Sequence, residues 1–148
     1  MEIDLRTPLI CLGTWGWDPY FWPDFCFVEA KDALLFAVER GVTLIDTAPS
    51  YFDGKVEKYL GAIINDYSLA HKVNLATKVT PKVYVDGISN FASAQDAYPG
   101  AYIRYSLECS LRRLRMESVE YLQLHAWDPN WIGDGDWEQT LNDLKSEG

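Results

Sequence analysis

The chain has 148 residues, of which 48% are hydrophobic, 14% aromatic and 24% charged. This composition is typical of one globular domain and excludes an intrinsically disordered chain. The formal net charge of −9 argues against nucleic acid as a partner, because surfaces that bind phosphate backbones are usually basic. No apolar run approaches the roughly 20 residues of a membrane helix, so a membrane is not expected as a partner either.

The amino-terminal residues 1–8 include acidic side chains and lack the apolar stretch of a secretory signal, so a cytoplasmic location is expected. The three cysteines Cys11, Cys26 and Cys109 form no Cys-x-x-Cys spacing. They are therefore expected to be buried or half-buried free thiols, and neither a disulfide framework nor a metal site is predicted.

Four strand-like runs alternate with helical patterns along the chain. Residues 9–12 form a short apolar run, and residues 28–40 carry apolar side chains at helical spacing before Gly41 ends the pattern. Strands are next predicted at 42–45, 73–77 and 119–124, and helices at 56–64, 102–114 and from Trp137 to the end, capped by Asp136. A long loop is predicted from 79 to 98, where ligands often bind.

Strands that alternate with helices predict a parallel sheet, either doubly wound or closed as a barrel. Periodicity alone does not choose between the two. The first strand-helix turn contains Gly13 and Gly16 but no Gly-x-Gly-x-x-Gly motif, so a dinucleotide-binding doubly wound sheet lacks its best marker. The barrel is therefore favoured.

Four polar residues, Asp46, Tyr51, Lys78 and His125, follow or end strand-like runs. Each has a plain structural explanation by itself, such as a turn cap or a solvated charge. A parallel barrel, however, gathers the carboxyl ends of its strands on one face, where active sites of this fold lie. The four side chains are therefore expected to converge on one site.

These residue types suit proton transfer to a carbonyl oxygen. A tyrosine has an ordinary pKa near 10, so a catalytic tyrosine needs a neighbouring cation, and Lys78 is the candidate. Asp46 would hold the lysine charged inside an apolar barrel mouth. His125 would donate a hydrogen bond to a substrate oxygen and orient it.

The sequence resembles the aldo-keto reductase family. The matching segments are Gly13-Thr14-Trp15, the run from Gly41 to Tyr51, Glu57 with Leu60-Gly61, Thr77-Lys78-Val79, and Ser110 to Leu114 leading to Leu122-Gln123-Leu124-His125. The resemblance implies a (β/α)8 TIM barrel that reduces aldehydes or ketones, small-molecule carbonyl substrates, with hydride from NADPH.

The resemblance also implies roles for individual residues. Tyr51 would be the proton donor, with Lys78 and Asp46 the pair that tunes it and His125 the substrate orienter. Gly13, Thr14, Trp15 and Asp46 would contact the nicotinamide half of the cofactor. Trp15 and Trp127 would line the substrate pocket.

The chain departs from the family pattern at several residues and in its length. Phe52 follows Tyr51 where the family commonly has glycine, so the geometry of that loop is expected to differ. Only four strand-helix units are present, so residues 1–148 are expected to be a partial barrel domain, the amino-terminal half, that stops before the fifth strand. The family's contacts to the cofactor phosphates come mostly from later strands, in keeping with the general phosphate site of barrels.

Half a barrel leaves its first and last strands as unpaired edges, so self-association through these edges is expected and turnover by the chain alone is not. A non-catalytic, cofactor-sensing or regulatory barrel subunit that binds a partner protein is the alternative function. A third interpretation is a structural module that pairs with a copy of itself to close a barrel.

Overall fold

A computed structural model describes residues 10–82 and 93–148. The strands are β1 (Cys11–Gly13), β2 (Leu44–Asp46), β3 (Asn74–Val79) and β4 (Tyr121–Leu124). The helices are α1 (Phe27–Glu39), α2 (Lys55–Asp66), the short α3 (Ala94–Ala97), α4 (Gly100–Leu114) and α5 (Trp137–Glu147). Single turns of 3₁₀ helix lie at Trp15–Trp17, Tyr51–Gly54 and Pro129–Trp131. The predicted alternation of strands and helices is confirmed.

The four strands form one parallel sheet in the order β1-β2-β3-β4. Gly13 lies opposite Asp46, Asp46 opposite Ala76, and Ala76 opposite Tyr121, so these residues share one row across the sheet. The spatial order follows the chain order without reversal. This is the arrangement of consecutive strands in a parallel barrel, whereas a doubly wound sheet reverses its strand order at one point.

Helices cover one face of this sheet. The outward side chains of the strands, including Ile45 and Leu75, pack with Leu34 of α1 and Leu60 of α2 in one apolar cluster. A second cluster joins the end of β3 to α4 and α5; its buried members are Val79, Ala94, Ala97, Tyr98, Ile103 and Trp131. Burying these apolar side chains is the main stabilising contribution to the half-barrel.

The opposite, inward face is open at its two outer strands. Cys11 of β1 and both Tyr121 and Gln123 of β4 are exposed. In a closed barrel, side chains on this face would lie in the barrel interior. The predicted burial of the cysteines is therefore wrong for Cys11 and Cys26, which are exposed, and right for the half-buried Cys109. Cys11 is exposed because it lies on the open face, and Cys26 because it precedes α1 at the surface.

Helices α2 and α4 cross closely at Gly61. A Cβ atom added to Gly61 would lie 2.5 Å from the carbonyl oxygen of Leu114, which is closer than real side chains approach backbone. This close crossing explains why residue 61 is a glycine.

Strand boundaries differ from the predicted ones in a way that matters for the site. Strand β3 continues past Thr77 to Val79, because Lys78 pairs with Gln123 and Val79 with Leu124 of β4. Asp46 likewise belongs to β2, opposite Gly13 and Ala76. Asp46 and Lys78 thus extend from rigid strands and not from loops. Leu9 of the predicted first strand lies outside the described residues, as does part of the predicted 79–98 loop.

Asp136 precedes α5, but its side chain caps a different helix. Its carboxylate makes no capping hydrogen bond within α5. It instead accepts a hydrogen bond from the backbone N–H of Gly100, at 2.8 Å, where α4 begins. Helix α4 consequently starts two residues before the predicted position, at Gly100. Among the described helices, none combines the length and the apolar character needed to cross a membrane.

Candidate active site

The four predicted site residues come together at the carboxyl edge of the sheet. Asp46 ends β2 and Lys78 is the penultimate residue of β3. Tyr51 opens the 3₁₀ turn that follows β2. His125 comes directly after β4, where its backbone N–H donates to the Val79 carbonyl at 2.9 Å and so continues the sheet hydrogen bonding.

Lys78 is held by three acceptors. Its ammonium donates to both carboxylate oxygens of Asp46, at 2.8 and 2.7 Å, and to the Thr47 carbonyl at 2.9 Å. An ammonium group has three N–H donors, so all of them are used within the chain. Lys78 therefore acts on its other neighbours through its charge and not through a hydrogen bond.

The phenol ring of Tyr51 lies near both the lysine and the histidine. The Lys78 ammonium is 5.3 Å from the ring centroid, within the range of a cation–π contact. The Tyr51 and His125 ring centroids are 5.9 Å apart, with the ring planes at 84°. The phenol, the ammonium and the imidazole thus lie close together at the carboxyl end of the sheet.

His125 is half-buried and has a serine partner. Burial lowers the pKa of His125 from its ordinary value, the positive charge of Lys78 lowers it further, and Asp46 opposes these effects. At neutral pH the imidazole is therefore mostly uncharged. The Ser50 hydroxyl oxygen lies 3.3 Å from Nδ1. Sequence reasoning missed Ser50, although its position directly before Tyr51 was a usable signal.

The segment after β1 contacts the site through Asp46. Both the backbone N–H and the hydroxyl of Thr14 donate to the Asp46 carbonyl oxygen, at 2.9 and 3.0 Å, and Thr14 is fully buried. Above neighbouring Gly13 the space is open, with no atom within 4 Å of an added Cβ. Trp15 is 48% exposed and packs against Phe21 and Trp22.

Trp127 packs in a cluster of aromatic side chains separate from that of Trp15. In the described part of the chain its ring contacts are with Trp131, at 6.0 Å between centroids, and with Trp137, at 4.9 Å. It remains 47% exposed. Trp15 follows β1 and Trp127 follows β4, so both lie at the carboxyl end of the sheet. Among the residues that the structure describes, no ring contact joins the two.

A buried ion pair lies behind the site, on the helix side of β3. Glu57 of α2 is fully buried; it accepts from the Thr77 hydroxyl at 2.7 Å and from Arg113 Nε at 2.6 Å. Thr77 directly precedes Lys78, so this contact fixes the strand that carries the lysine. The sequence reasoning quoted Glu57 and Arg113 as motif residues and did not predict their pairing.

Over residues 10–82 and 93–148, no three or more His, Cys, Asp or Glu side chains are grouped as metal ligands. The polar groups of the site are instead a hydrogen-bonded ion pair, a phenol and an imidazole. This set can exchange a proton with a bound oxygen atom and can orient that atom.

Comparison with known proteins shows the family of the chain. The family model described as "Aldo/keto reductase family" matches residues 9–148. An aldo-keto reductase from Gibberella moniliformis is 33% identical over 127 residues, covering 86% of this chain and 36% of the relative.

Solved structures give the same assignment. An aldo-keto reductase from Pseudomonas aeruginosa superposes with a TM-score of 0.77 at 31% identity, covering 98% of this chain and 53% of that one. An aldo-keto reductase from Klebsiella pneumoniae, solved in complex with NADPH, has a TM-score of 0.66 at 26% identity over 96% of this chain and 43% of that one. The fold is therefore the amino-terminal half of a (β/α)8 barrel, as predicted.

The chain spans between about a third and about half of the length of these relatives. Within that span the family model covers all but the first eight residues, and the strands that carry Asp46 and Lys78, with His125 after β4, lie inside it. This chain belongs to the aldo-keto reductase family.

Proposed function

We propose that the chain supplies the proton-transfer residues of an NADPH-dependent reductase that converts an aldehyde or a ketone to an alcohol. The observation that carries the proposal is the convergence of Tyr51, Lys78 and His125, with Lys78 bound to both oxygens of Asp46. A phenol next to a fixed cation and an imidazole suits a reaction in which a carbonyl oxygen gains a proton.

Tyr51 is the proton donor in this proposal. When the phenol gives its proton to the substrate oxygen, negative charge develops on the phenol oxygen, and the nearby Lys78 ammonium stabilises that charge. Asp46 keeps the ammonium in place. The proton transfer therefore depends on all three side chains.

His125 orients the substrate oxygen. Its lowered pKa leaves the ring neutral, and a neutral imidazole carries a proton on only one of its nitrogens. If the Ser50 hydroxyl donates to Nδ1, that proton is on Nε2. Nε2 is then the nitrogen that donates to the carbonyl oxygen, and Ser50 selects this tautomer.

The residues present at the edge of β1 and β2 fit the nicotinamide half of NADPH. The open space above Gly13 accommodates a flat ring, and the exposed Trp15 offers an aromatic surface beside it. Asp46 and the buried Thr14 complete this edge. When bound there, the cofactor supplies the hydride that reduces the carbonyl carbon. The Klebsiella pneumoniae relative in complex with NADPH supports this choice of cofactor.

We also propose that residues 1–148 by themselves reduce little or no substrate. The support is the open inward face, where Tyr121 is 44% exposed, so water reaches the side of the sheet that carries Asp46 and Lys78. Solvent weakens the electrostatic interactions on which the proton transfer depends. Stoichiometric NADPH binding with aldehyde reduction by this chain alone would overturn this proposal.

The test of the function uses the protein that contains this chain, with benzaldehyde as the substrate and NADPH oxidation as the readout. Tyr51→Phe is expected to lower turnover by about 100-fold or more while NADPH binding, followed by tryptophan fluorescence, stays intact. Tyr105→Phe is the matched control, since Tyr105 is exposed on α4. Unchanged turnover in Tyr51→Phe contradicts the proposal.

The same variant separates the enzyme from the regulatory alternative. A protein that binds NADPH, reduces no carbonyl substrate, and keeps its cellular function when Tyr51 is replaced by Phe is a cofactor sensor and not a reductase. Loss of the cellular function together with turnover supports the reductase.

A further inference from the structure

Asp18, in the segment between β1 and α1, joins two separate parts of the site. It is 2% exposed. One carboxylate oxygen accepts from the backbone N–H of Tyr20 at 2.9 Å, and the other accepts from the backbone N–H of Phe52 at 2.8 Å. The second bond links residues that are 34 positions apart and ends on the residue directly after Tyr51.

The turn at Phe52 has a backbone conformation that needs support. Phe52 and Asp53 have φ angles of 45° and 53°, in the left-handed region that side chains with a Cβ atom rarely adopt. Such conformations persist where surrounding contacts determine them. Glycine would adopt this conformation without strain, whereas phenylalanine does not.

Contacts to its ring and to its backbone hold Phe52 in this conformation. The Phe52 ring meets the Tyr20 ring edge to face at 5.4 Å between centroids, and the Lys55 ammonium lies 3.9 Å from its ring centroid. On the backbone, the Phe52 carbonyl accepts from the Lys55 N–H within the same turn, whereas the Phe52 N–H is bound by Asp18 from a distant segment. The Asp18 hydrogen bond therefore limits the direction in which the chain leaves Tyr51.

The same residue also orders the aromatic segment that follows β1. The backbone carbonyl of Asp18 accepts from the N–H groups of Phe21 and Trp22, at 3.2 and 2.9 Å. Phe21 and Trp22 in turn pack against Trp15. Asp18 thus fixes both the aromatic segment and the Tyr51 turn from one buried position.

We propose that Asp18 is a positioning residue for Tyr51, acting through the Phe52 N–H to hold the phenol at its place beside Lys78 and His125. The consequence for turnover rests on the proposed function, because it requires Tyr51 to be the proton donor. The hydrogen bond itself does not, so the two parts are tested separately.

Substitutions of Asp18 remove its acceptors in steps. Asp18→Asn keeps one oxygen acceptor and turns the other into a donor, so one of the two N–H groups loses its partner. Asp18→Ala removes both acceptors. Asp24→Asn is the matched control, because Asp24 lies in the same segment, carries the same charge and is exposed.

The first measurement is amide hydrogen exchange by NMR on the 148-residue chain. The Phe52 amide is expected to exchange at least tenfold faster in Asp18→Ala, and in Asp18→Asn either the Phe52 or the Tyr20 amide is expected to do so, while Leu60 in α2 keeps its protection and Asp24→Asn matches the unaltered chain. Unchanged Phe52 protection in Asp18→Ala overturns the proposal. Loss of Leu60 protection in both Asp18 variants also overturns it, since Asp18 is then needed for the fold as a whole.

The second measurement is steady-state kinetics with benzaldehyde on the protein that contains this chain, using NADPH and NADPH deuterated at the transferred position. Asp18→Ala is expected to lower kcat by about 10- to 100-fold with KM changed less than about threefold, and to raise the deuterium isotope effect on kcat. A variant that is merely less folded has a lower kcat with an unchanged isotope effect, and that result overturns the proposal. If the unaltered protein reduces no carbonyl substrate, the proposed function fails, and hydrogen exchange still decides whether Asp18 holds Phe52.

Discussion

The Lys78 ammonium bridges β2 and β3 by donating to both carboxylate oxygens of Asp46, at 2.7 and 2.8 Å. Both side chains extend from strands that pair directly, and both are partly shielded from water. Removing one member of such a pair leaves the other charge without its partner, whereas removing both leaves no unpaired charge. This difference allows the structural and the catalytic contributions of the pair to be separated.

We therefore predict that Lys78→Met lowers turnover by about 100-fold or more and also lowers the free energy of unfolding. In the double variant Asp46→Asn/Lys78→Met, stability is expected to recover in part, with a coupling energy of about 0.5–3 kcal/mol, while turnover does not recover. Urea unfolding of the single and double variants measures the coupling. Full additivity of the two single variants contradicts the ion pair.

The titration of His125 reports its environment without any assay of activity. Because burial and the charge of Lys78 lower the pKa of His125, an NMR titration should give a value below the ordinary 6.5 or so. Lys78→Met is expected to raise this pKa by removing a repulsion, and Asp46→Asn to lower it by removing an attraction. Shifts in the opposite directions contradict the geometry of the site.

The same pKa shift determines how His125 affects stability. Between the lowered pKa of His125 in the folded chain and its value of about 6.5 in the unfolded chain, the unfolded chain binds more protons. The contribution of His125 to the free energy of unfolding is therefore present above this pH window and is lost as the pH falls through it. His125→Asn should therefore lose less stability than the unaltered chain when the pH falls from about 7.5 to below the window. Urea unfolding at several pH values measures this difference, and an equal loss in both proteins contradicts it.

The Glu57–Arg113 pair should contribute to stability far more than a surface pair of the same type. Glu57 is fully buried, so Glu57→Ala leaves both Arg113 and the Thr77 hydroxyl without their acceptor and should cost about 3 kcal/mol of unfolding free energy. Glu108→Ala is the control, because Glu108 pairs with Arg112 on the exposed face of α4 at 3.7 Å and should cost less than about 1 kcal/mol. Equal costs in the two variants contradict a structural role for the buried pair.

The open edges of the sheet should make the 148-residue chain self-associate. Strands β1 and β4 each have a neighbour on only one side in the described part of the chain, and unpaired strand edges readily pair with other strands. Sedimentation velocity is expected to show weight-average mass rising with concentration. A chain that stays monomeric and unfolds cooperatively contradicts this prediction.

The cysteines indicate which surface is covered in the associated form. Cys11 lies on the open inward face, and Cys26 is exposed at the start of α1, away from that face. Partial desolvation of the thiol and the charge of Asp46 raise the pKa of Cys11, which slows its labelling in every state. The informative quantity is therefore the change in labelling rate with protein concentration. Labelling of Cys11 should slow at high concentration, with Cys26 as the internal control.

The sequence predicted the alternation of strands and helices because short apolar runs and helical spacing depend on neighbouring residues. Asp46, Tyr51, Lys78 and His125 could be selected for the same reason, since each follows or ends such a run. The family resemblance added the closed barrel, which local periodicity does not distinguish from a doubly wound sheet. The exact ends of β2 and β3 were missed, because they depend on pairing with strands distant in the chain.

By itself, then, the sequence determined the alternation of strands and helices and four candidate side chains of the site, because apolar periodicity and residue type are local properties. Only the tertiary structure decided which groups touch them: the Thr47 carbonyl on Lys78, Ser50 on His125, and Asp18 on the residue after Tyr51. The last two contacts join residues 75 and 34 positions apart. Such contacts arise from the packing of separate segments, so no local pattern in the chain records them.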